Sequence, residues 1–239
     1  ASCVAILAAV ATIRLAMAIH VYWASGSPYS WRALLALEFK GLSYVSHQLQ
    51  LSKQEHKSPQ MLVMTPRGRL PVVKHDDYVV FESLAILYYL DLKYPDPPLF
   101  GRSPEEAGVI MRVIEEYQAY AEEHLMNIVE SVFRARGAAL PEEITDAMHV
   151  VASEARTIEA RLSTKGDWIV GEAVSAADLM IYPSIELLLR ALAQPVAREL
   201  SARFLPIHVN YPALGRWLER MQSLPGFDRT YPPHWRESV

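Results

Sequence analysis

The chain has 239 residues, of which 51% are hydrophobic and 21% charged. This composition is typical of a folded globular protein with a sizeable core, and it excludes a disordered tail or a repeat array. Nine basic and seven acidic residues precede Pro98, whereas 14 basic and 20 acidic residues follow it. Neither half is basic enough to indicate nucleic-acid binding.

The start of the chain carries the single cysteine, Cys3. One cysteine permits neither an intrachain disulfide nor a thiolate metal cluster, which favours a reducing, cytoplasmic location and no metal. The apolar run up to Met17 contains Arg14 and lacks the charged start of a signal peptide, so we expect no membrane span. We interpret residues 1–16 as an apolar N-terminal extension before a natural start at Met17, with an additional helix as the alternative.

The next part of the chain alternates between strand and helix patterns. Residues 18–24 form a β-rich run, a Gly/Ser/Pro turn follows, and residues 31–41 have the leucine pattern of a helix. Residues 42–49 favour a second strand. Because a parallel neighbour requires a crossover, this order predicts a βαβ unit with two parallel strands.

A hairpin and a helix complete this first domain. Residues 58–68 favour a short helix or an irregular turn. Residues 70–81 contain two strand patterns joined by His75-Asp76-Asp77, which predicts an antiparallel hairpin. Residues 82–94 favour a helix that ends before a proline. The order βαβ followed by ββα predicts a small α/β domain over residues 17–94.

The second half of the chain has helical patterns throughout. Residues 95–104 contain four prolines, which indicates a linker. Apolar residues then recur in steps of four and three from Ile144 to Leu162, the pattern of a helix buried on one side. We therefore expect an all-α domain over residues 105–239. Its other helices are predicted at about 104–136, 176–193 and 212–223.

Two motifs permit both a structural and a binding interpretation. In GRLPVV, Pro71 either sits at a strand edge or follows a cis bond, which leaves the backbone of Leu70 free to pair with an extended peptide. In FESLAIL, Glu82 and Ser83 stand at the start of a helix, and one interpretation is that they cap it. The alternative is that Ser83 and the free N–H groups of the helix hold a ligand carboxylate, while Glu82 holds a ligand ammonium group.

A third motif is interpreted as structural. In VSAADLMIYP, Ser175 precedes Asp178 by three residues, which is the spacing of a capping box. This spacing predicts the start of a helix through the core of the second domain.

These motifs, in this order and around the Pro-rich linker, resemble the cytosolic glutathione transferases over about residues 17–225. The resemblance implies a thioredoxin-like domain followed by an all-helical domain. It also implies a homodimeric detoxification enzyme that uses glutathione as co-substrate and an electrophilic small molecule as second substrate. The likeness is nearest to the Ser-type members, namely the zeta-, phi- and tau-like classes and bacterial members.

The same resemblance implies a catalytic residue in the first turn. Many members carry a hydroxyl or thiol five residues before an arginine of the first helix, and Ser27 and Arg32 match this spacing. We therefore predict that Ser27 donates a hydrogen bond to the glutathione sulfur and favours its thiolate. Ser30 is the rival, although its position suits an N-cap. Tyr22 lies too far from Arg32 for the tyrosine-type pattern.

The ligand positions also follow from the resemblance. Residues 56–59, HKSP, resemble a motif of plant-type classes in which the lysine, and sometimes the histidine, contacts the glycine carboxylate of glutathione. A solvated surface position is the alternative for the histidine. A tripeptide with two carboxylates requires cations and helix N–H groups. The predicted glutathione-binding residues are His56, Lys57, Arg69, Leu70, Glu82 and Ser83.

The site for the electrophile is less defined. We expect it between the two domains, beside Tyr29 and the helix near residues 104–136. That helix contributes Tyr117, Tyr120 and His124 as candidates, with core packing as the alternative.

Other functions stay open beside conjugation. Residues 27–44, SPYSWRALLALEFKGLSY, also resemble the zeta class, which isomerises maleylacetoacetate. The zeta-class motif contains Ser-Ser-Cys, whereas this chain has Ser27-Pro28-Tyr29. A dehalogenase and a non-catalytic glutathione-binding scaffold are further alternatives. A disulfide reductase is disfavoured because that chemistry needs a thiol at position 27.

Overall fold

The computed structural model describes residues 18–135 and 139–236. The predictions for residues 1–16 and for a start at Met17 lie outside the described residues. Contacts divide the chain into two units. The first runs to Tyr94 and also includes the segment from Asp228, and the second is Pro95–Phe227. The domain limits inferred from the sequence stay a prediction.

The first unit is built on a four-stranded mixed sheet. Its order is β2-β1-β3-β4, with β1 parallel to β2 and antiparallel to β3, and with β3 antiparallel to β4. This pairing confirms the predicted βαβ unit and the predicted hairpin. The strands are β1 (Ile19–Trp23), β2 (Tyr44–Gln48), β3 (Val72–His75) and β4 (Tyr78–Phe81).

Three helices of this unit alternate with the strands. They are α1 (Pro28–Phe39), α2 (Pro59–Met64) and α3 (Ser83–Lys93). Every residue of α1 from Ser30 to Glu38 is buried. Such burial on all sides differs from a surface helix, which buries only one stripe. α1 therefore has packing partners on more than one side.

The C-terminal segment is one of these partners. It contains α11 (Phe227–Thr230) and α12 (Pro233–Arg236), and contacts group its residues from Asp228 with the first unit. The indole N–H of Trp31 donates a buried hydrogen bond of 2.8 Å to the Thr230 hydroxyl. This segment, assigned to the helical domain by the sequence analysis, thus packs on α1.

The described residues of the second unit form helices and loops, with no strand. The predicted fold class, an α/β thioredoxin-like domain followed by an all-α domain, is confirmed. The helix predicted over 104–136 is interrupted by a π-helical turn, Gln118–Glu122, which joins α4 to α5. The helices are α4 (Pro104–Tyr117), α5 (Glu123–Arg134), α6 (Glu143–Lys165), α7 (Ala176–Leu192), α8 (Arg198–Ser201), α9 (Ile207–Asn210) and α10 (Pro212–Gln222).

A fully buried carboxylate organises the core of the second unit. The predicted capping box of Ser175 and Asp178 is present at the start of α7. Asp178 accepts hydrogen bonds from the backbone N–H of Ile169 at 3.0 Å and from the indole of Trp217 at 2.8 Å. It therefore joins α7 to α10 and to the loop before α7. Within residues 18–135 and 139–236, no helix combines the length and apolar character that a bilayer crossing requires.

The sheet of the first unit contains a buried histidine whose protonation opposes folding. His75 is 5% exposed on β3, and its Nδ1 lies 2.9 Å from the Tyr89 hydroxyl. Burial, and then the charge of Lys93, lower the pKa of His75 below its ordinary value. A histidine with a lowered folded-state pKa stabilises the fold while neutral, and this stability is lost as pH falls below the unfolded-state value.

We expect the free energy of unfolding to fall between about pH 7.5 and about pH 5.5, and to fall less in His75→Gln, whose amide does not titrate. Urea unfolding at both pH values measures this difference. An equal pH dependence in the two proteins would contradict the assignment to His75.

Candidate active site

The first unit carries a cleft of about 590 Å³. The structure brings together in its lining all the residues predicted for catalysis and glutathione binding, together with Tyr29. Their roles stay predictions. The residues concerned are Ser27, His56, Lys57, Arg69, Leu70, Glu82 and Ser83. Three electrophile candidates belong to the second unit, where Tyr117 is buried and Tyr120 and His124 are exposed.

The strand directions explain why distant parts of the sequence meet at this cleft. β3 runs antiparallel to β1, so the start of β3 and the end of β1 share one edge of the sheet. β4 runs antiparallel to β3, so its end lies at the same edge. The turn after Trp23, the residues Leu70 and Pro71, and the residues after Phe81 therefore converge. The Leu70–Pro71 peptide bond, left open by the sequence, is cis.

Ser27 is the N-cap of α1. Its Oγ accepts a hydrogen bond from the backbone N–H of Ser30 at 3.3 Å, and Pro28 follows at the first position of the helix. Proline favours that position because its ring fixes φ and it has no N–H to satisfy. Since the hydroxyl oxygen accepts this bond with a lone pair, its proton remains available for donation.

The prediction that Ser30 is the N-cap is wrong. Ser30 lies inside α1 and is fully buried. Its Oγ accepts a hydrogen bond of 3.1 Å from the backbone N–H of Ala24 and so secures the turn that follows β1. Ser30 is therefore directed to the backbone of its own unit, whereas Ser27 lines the cleft.

The start of α3 forms another wall of the cleft. Glu82 occupies the N-cap position, with φ of 69° and ψ of 119°, and its carboxylate caps none of the described backbone N–H groups. The capping interpretation of Glu82 is therefore wrong, and the carboxylate is exposed in the cleft. The N–H groups of the first turn of α3 stay available to an anion.

A buried arginine connects the two helices that border the cleft. Arg32, on α1, is only 1% exposed. Its guanidinium donates a 3.4 Å hydrogen bond to the Ser83 hydroxyl, and its Cζ lies 4.8 Å from the centre of the Tyr29 ring. A positive charge thus lies beneath two residues that line the cleft. Cations near an anionic ligand favour its charged form.

Basic side chains form another part of the cleft lining. Lys57, Arg67 and Arg69 are exposed there. Among the residues that line the cleft, all of them described, Glu82 is the single acid. The cleft therefore favours a ligand with more than one anionic group and one cationic group.

Arg67 also lines the cleft, although it is not among the residues predicted from the sequence. The signal was the turn PRGRLP, in which Gly68 has φ of 58°. A Cβ at Gly68 would lie 3.3 Å from the carbonyl oxygen of His56 and 3.3 Å from Cγ of Lys57. Glycine is needed because two segments of the chain approach closely here, and Arg67 directly precedes this glycine in the cleft lining.

In the described parts of the chain, residues 18–135 and 139–236, no group of three or more His, Cys, Asp or Glu side chains is arranged to hold a metal ion.

Family models match both parts of the chain. The glutathione S-transferase N-terminal domain matches residues 17–92, and the corresponding C-terminal domain matches residues 123–225. Glutathione S-transferase 1 of Dianthus caryophyllus is 30% identical over 174 residues, which cover 70% of this chain and 75% of that protein. The maleylacetoacetate isomerase of Mus musculus is 30% identical over 162 residues, 66% of this chain and 73% of that protein.

A solved structure agrees with these relatives. The crystal structure of a glutathione S-transferase from the Antarctic clam Laternula elliptica has a TM-score of 0.77 and 28% sequence identity, and the match covers 92% of this chain and 95% of that one. The sequence relatives and the shared fold lead to the same conclusion: the chain belongs to the glutathione S-transferase family.

Proposed function

We propose that the chain is a glutathione transferase that binds glutathione in the cleft of the first unit and directs its thiolate at an electrophilic small molecule. The observation that carries the proposal is the convergence in one cleft of the Ser27 hydroxyl, the uncapped start of α3 and a group of basic side chains. These groups complement the charges of glutathione.

The γ-glutamyl end of glutathione matches the start of α3. Its carboxylate would accept hydrogen bonds from the Ser83 hydroxyl and from the N–H groups of the first helical turn. Its ammonium group would pair with Glu82, the single acid of the cleft lining. A charged hydrogen bond at each group fixes the direction of the tripeptide.

The glycine end matches the basic side chains. Its carboxylate would pair with Lys57 and Arg69, and His56 precedes Lys57 in a short 3₁₀ helix, Glu55–Lys57. The backbone of Leu70, at the turn into β3, would pair with the central residue of the extended peptide. Held at three places, the tripeptide presents its sulfur to Ser27.

Ser27 would then activate the sulfur. A free thiol has a pKa of about 8.5, so most of it is protonated at neutral pH. A hydrogen bond from the Ser27 hydroxyl and the positive end of the α1 dipole both favour the thiolate. The thiolate donates its electron pair to an electrophilic carbon, forming a C–S bond, while a leaving group departs with its own electron pair. The thiol proton passes to solvent.

Tyr29 is our candidate for contact with the electrophile because it lines the cleft together with Ser27. The roles of Tyr117, Tyr120 and His124 stay predictions, as do a homodimeric state and a cytoplasmic location.

Isomerisation is a second candidate function. It is favoured by the 30% identity to a maleylacetoacetate isomerase. In that reaction the same thiolate would add to the substrate and then leave it, so glutathione would be regenerated. Assay of maleylacetoacetate beside aryl halide and haloalkane substrates distinguishes isomerisation, conjugation and dehalogenation. Glutathione binding without turnover of any of these would favour a scaffold.

Replacement of Ser27 tests the proposed activation. We expect Ser27→Ala to raise the pKa of the bound thiol toward its free value and to lower kcat/KM by about a hundredfold, because one donor to the reacting anion is removed. Thiolate ultraviolet absorbance against pH measures the first effect.

Ser30→Ala is the matched control. It removes the bond to the Ala24 N–H but keeps the Ser27 hydroxyl, so it should lower stability and change the bound-thiol pKa by much less than Ser27→Ala does. A pKa change in Ser30→Ala and none in Ser27→Ala would overturn the assignment. Absence of glutathione binding by the parent protein would overturn the proposed function.

Two substitutions of Glu82 distinguish the contribution of its carboxylate to glutathione binding from the backbone strain at this position. A residue with a side chain is strained at this positive φ, and glycine is not. We expect Glu82→Gly to have a free energy of unfolding about 1 kcal/mol higher than that of Glu82→Ala, since only the alanine variant keeps the strain. Both variants lose the carboxylate and should bind glutathione more weakly by the same factor. Urea unfolding and calorimetric titration measure these effects, and unequal binding losses would contradict the role of the carboxylate.

A further inference from the structure

The turn that carries Ser27 is held by the far end of the chain. Residues 229–235, called here the C-terminal strap, run along α1 and reach the turn of Ser25, Gly26 and Ser27. They are separated from this turn by about 200 residues in sequence, yet belong to the same unit. Their contacts fall into two groups, one on α1 and one on the turn.

The first group fixes the strap on α1. The indole N–H of Trp31 donates to the Thr230 hydroxyl at 2.8 Å, and both residues are buried. The Trp31 ring also meets Tyr231 and Trp235 edge to face, each at 5.6 Å between centroids. Such aromatic contacts add to the stability that burial provides.

An ion pair secures the same helix near its other end. The guanidinium of Arg229 donates from Nε to the Glu38 carboxylate at 2.9 Å, and a second nitrogen donates to the same oxygen. The other carboxylate oxygen accepts a 2.8 Å hydrogen bond from the Tyr44 hydroxyl. Glu38 is 7% exposed, so its charge requires these partners.

The second group of contacts is on the turn itself. Nδ1 of His234 lies at a hydrogen-bonding distance of 2.9 Å from the Ser25 hydroxyl. Gly26 has φ of 80°, and a Cβ there would lie 3.1 Å from Cε1 of His234 and 3.4 Å from Nε1 of Trp235. The His234 ring therefore lies directly against the turn backbone. Ser25 and Gly26 are the central residues of this turn, which the backbone bond from Ser27 N–H to Ala24 C=O closes at 3.2 Å.

Resting on the proposed function, we propose that the C-terminal strap holds Ser27 in its position toward the cleft, and that His234, acting through Ser25, is a positioning residue for the thiol-activating hydroxyl. Ser27 is bonded within α1 through Ser30 and within the turn through Ala24, so its orientation depends on both. The strap contacts both elements. A hydroxyl displaced by a fraction of an ångström donates a weaker hydrogen bond to the sulfur.

Variants of the full-length protein test this positioning role. We expect His234→Ala to lower kcat/KM about tenfold through kcat, with little change in KM for glutathione, because the residues proposed to bind its carboxylates lie elsewhere. The bound-thiol pKa should move toward that of free glutathione. His234→Asn should restore much of kcat/KM and of the lowered bound-thiol pKa, since the asparagine amide can replace Nδ1 as the partner of Ser25. Ser25→Ala should reproduce the effect, and the double variant should lose no more than either single variant.

His208→Ala provides the matched control. His208 is an exposed histidine of the second unit, 3.7 Å from the carboxylate of Glu219. The His208→Ala variant should leave the bound-thiol pKa and kcat/KM unchanged. If His234→Ala lowers the melting temperature but leaves both quantities at their parent values, while Ser27→Ala changes them, the strap has only a structural role and the inference is overturned with the proposed function intact.

Amide hydrogen exchange gives a readout that needs no ligand. In His234→Ala the amides of residues 25–31 should exchange faster than in the parent protein, whereas those of α3 should not change. Unchanged exchange at residues 25–31 would overturn the inference. Failure of the parent protein to bind glutathione would overturn the proposed function and the catalytic part of the inference together.

Discussion

The cleft depends on one constraint of helical backbones, namely that the first N–H groups of a helix have no partner within it. In this fold α1 and α3 both begin at the sheet edge where β1 and β4 end. Ser27 caps α1 and keeps a proton to donate, whereas Glu82 caps no described group at the start of α3. The edge therefore presents helix N–H groups and a hydroxyl, which suit an anionic ligand.

Both helices depend in turn on buried contacts behind the cleft. Arg32 joins α1 to α3 through the hydroxyl of Ser83, and the C-terminal strap covers α1 on another side through Trp31. Because α1 is surrounded, its orientation is more restricted than that of a helix packed on a single face. The proposed chemistry thus uses the exposed end of a helix whose other surfaces are fixed.

Local patterns predicted the fold, and the resemblance to the glutathione transferases predicted the residues of the candidate site. The turn chemistry around Asp76 and the capping box of Asp178 act over a few residues, so they are legible in the sequence. The choice of Ser30 as N-cap was wrong because Pro28 shifts the helix start by three residues. Arg67 was missed because only the approach of two loops at Gly68 brings it to the cleft.

The sequence by itself determined the fold class and the order of its elements, because periodicity and motif spacing are local properties. The candidate glutathione-binding residues followed from the resemblance to the glutathione transferases. Tertiary structure alone decided which polar groups meet. It placed the hydroxyl of Ser27 in the cleft and that of Ser30 on the backbone, and it brought His234 against Ser25. Such contacts join residues up to 209 positions apart. No local pattern encodes them, since they arise only when the chain packs around a common core.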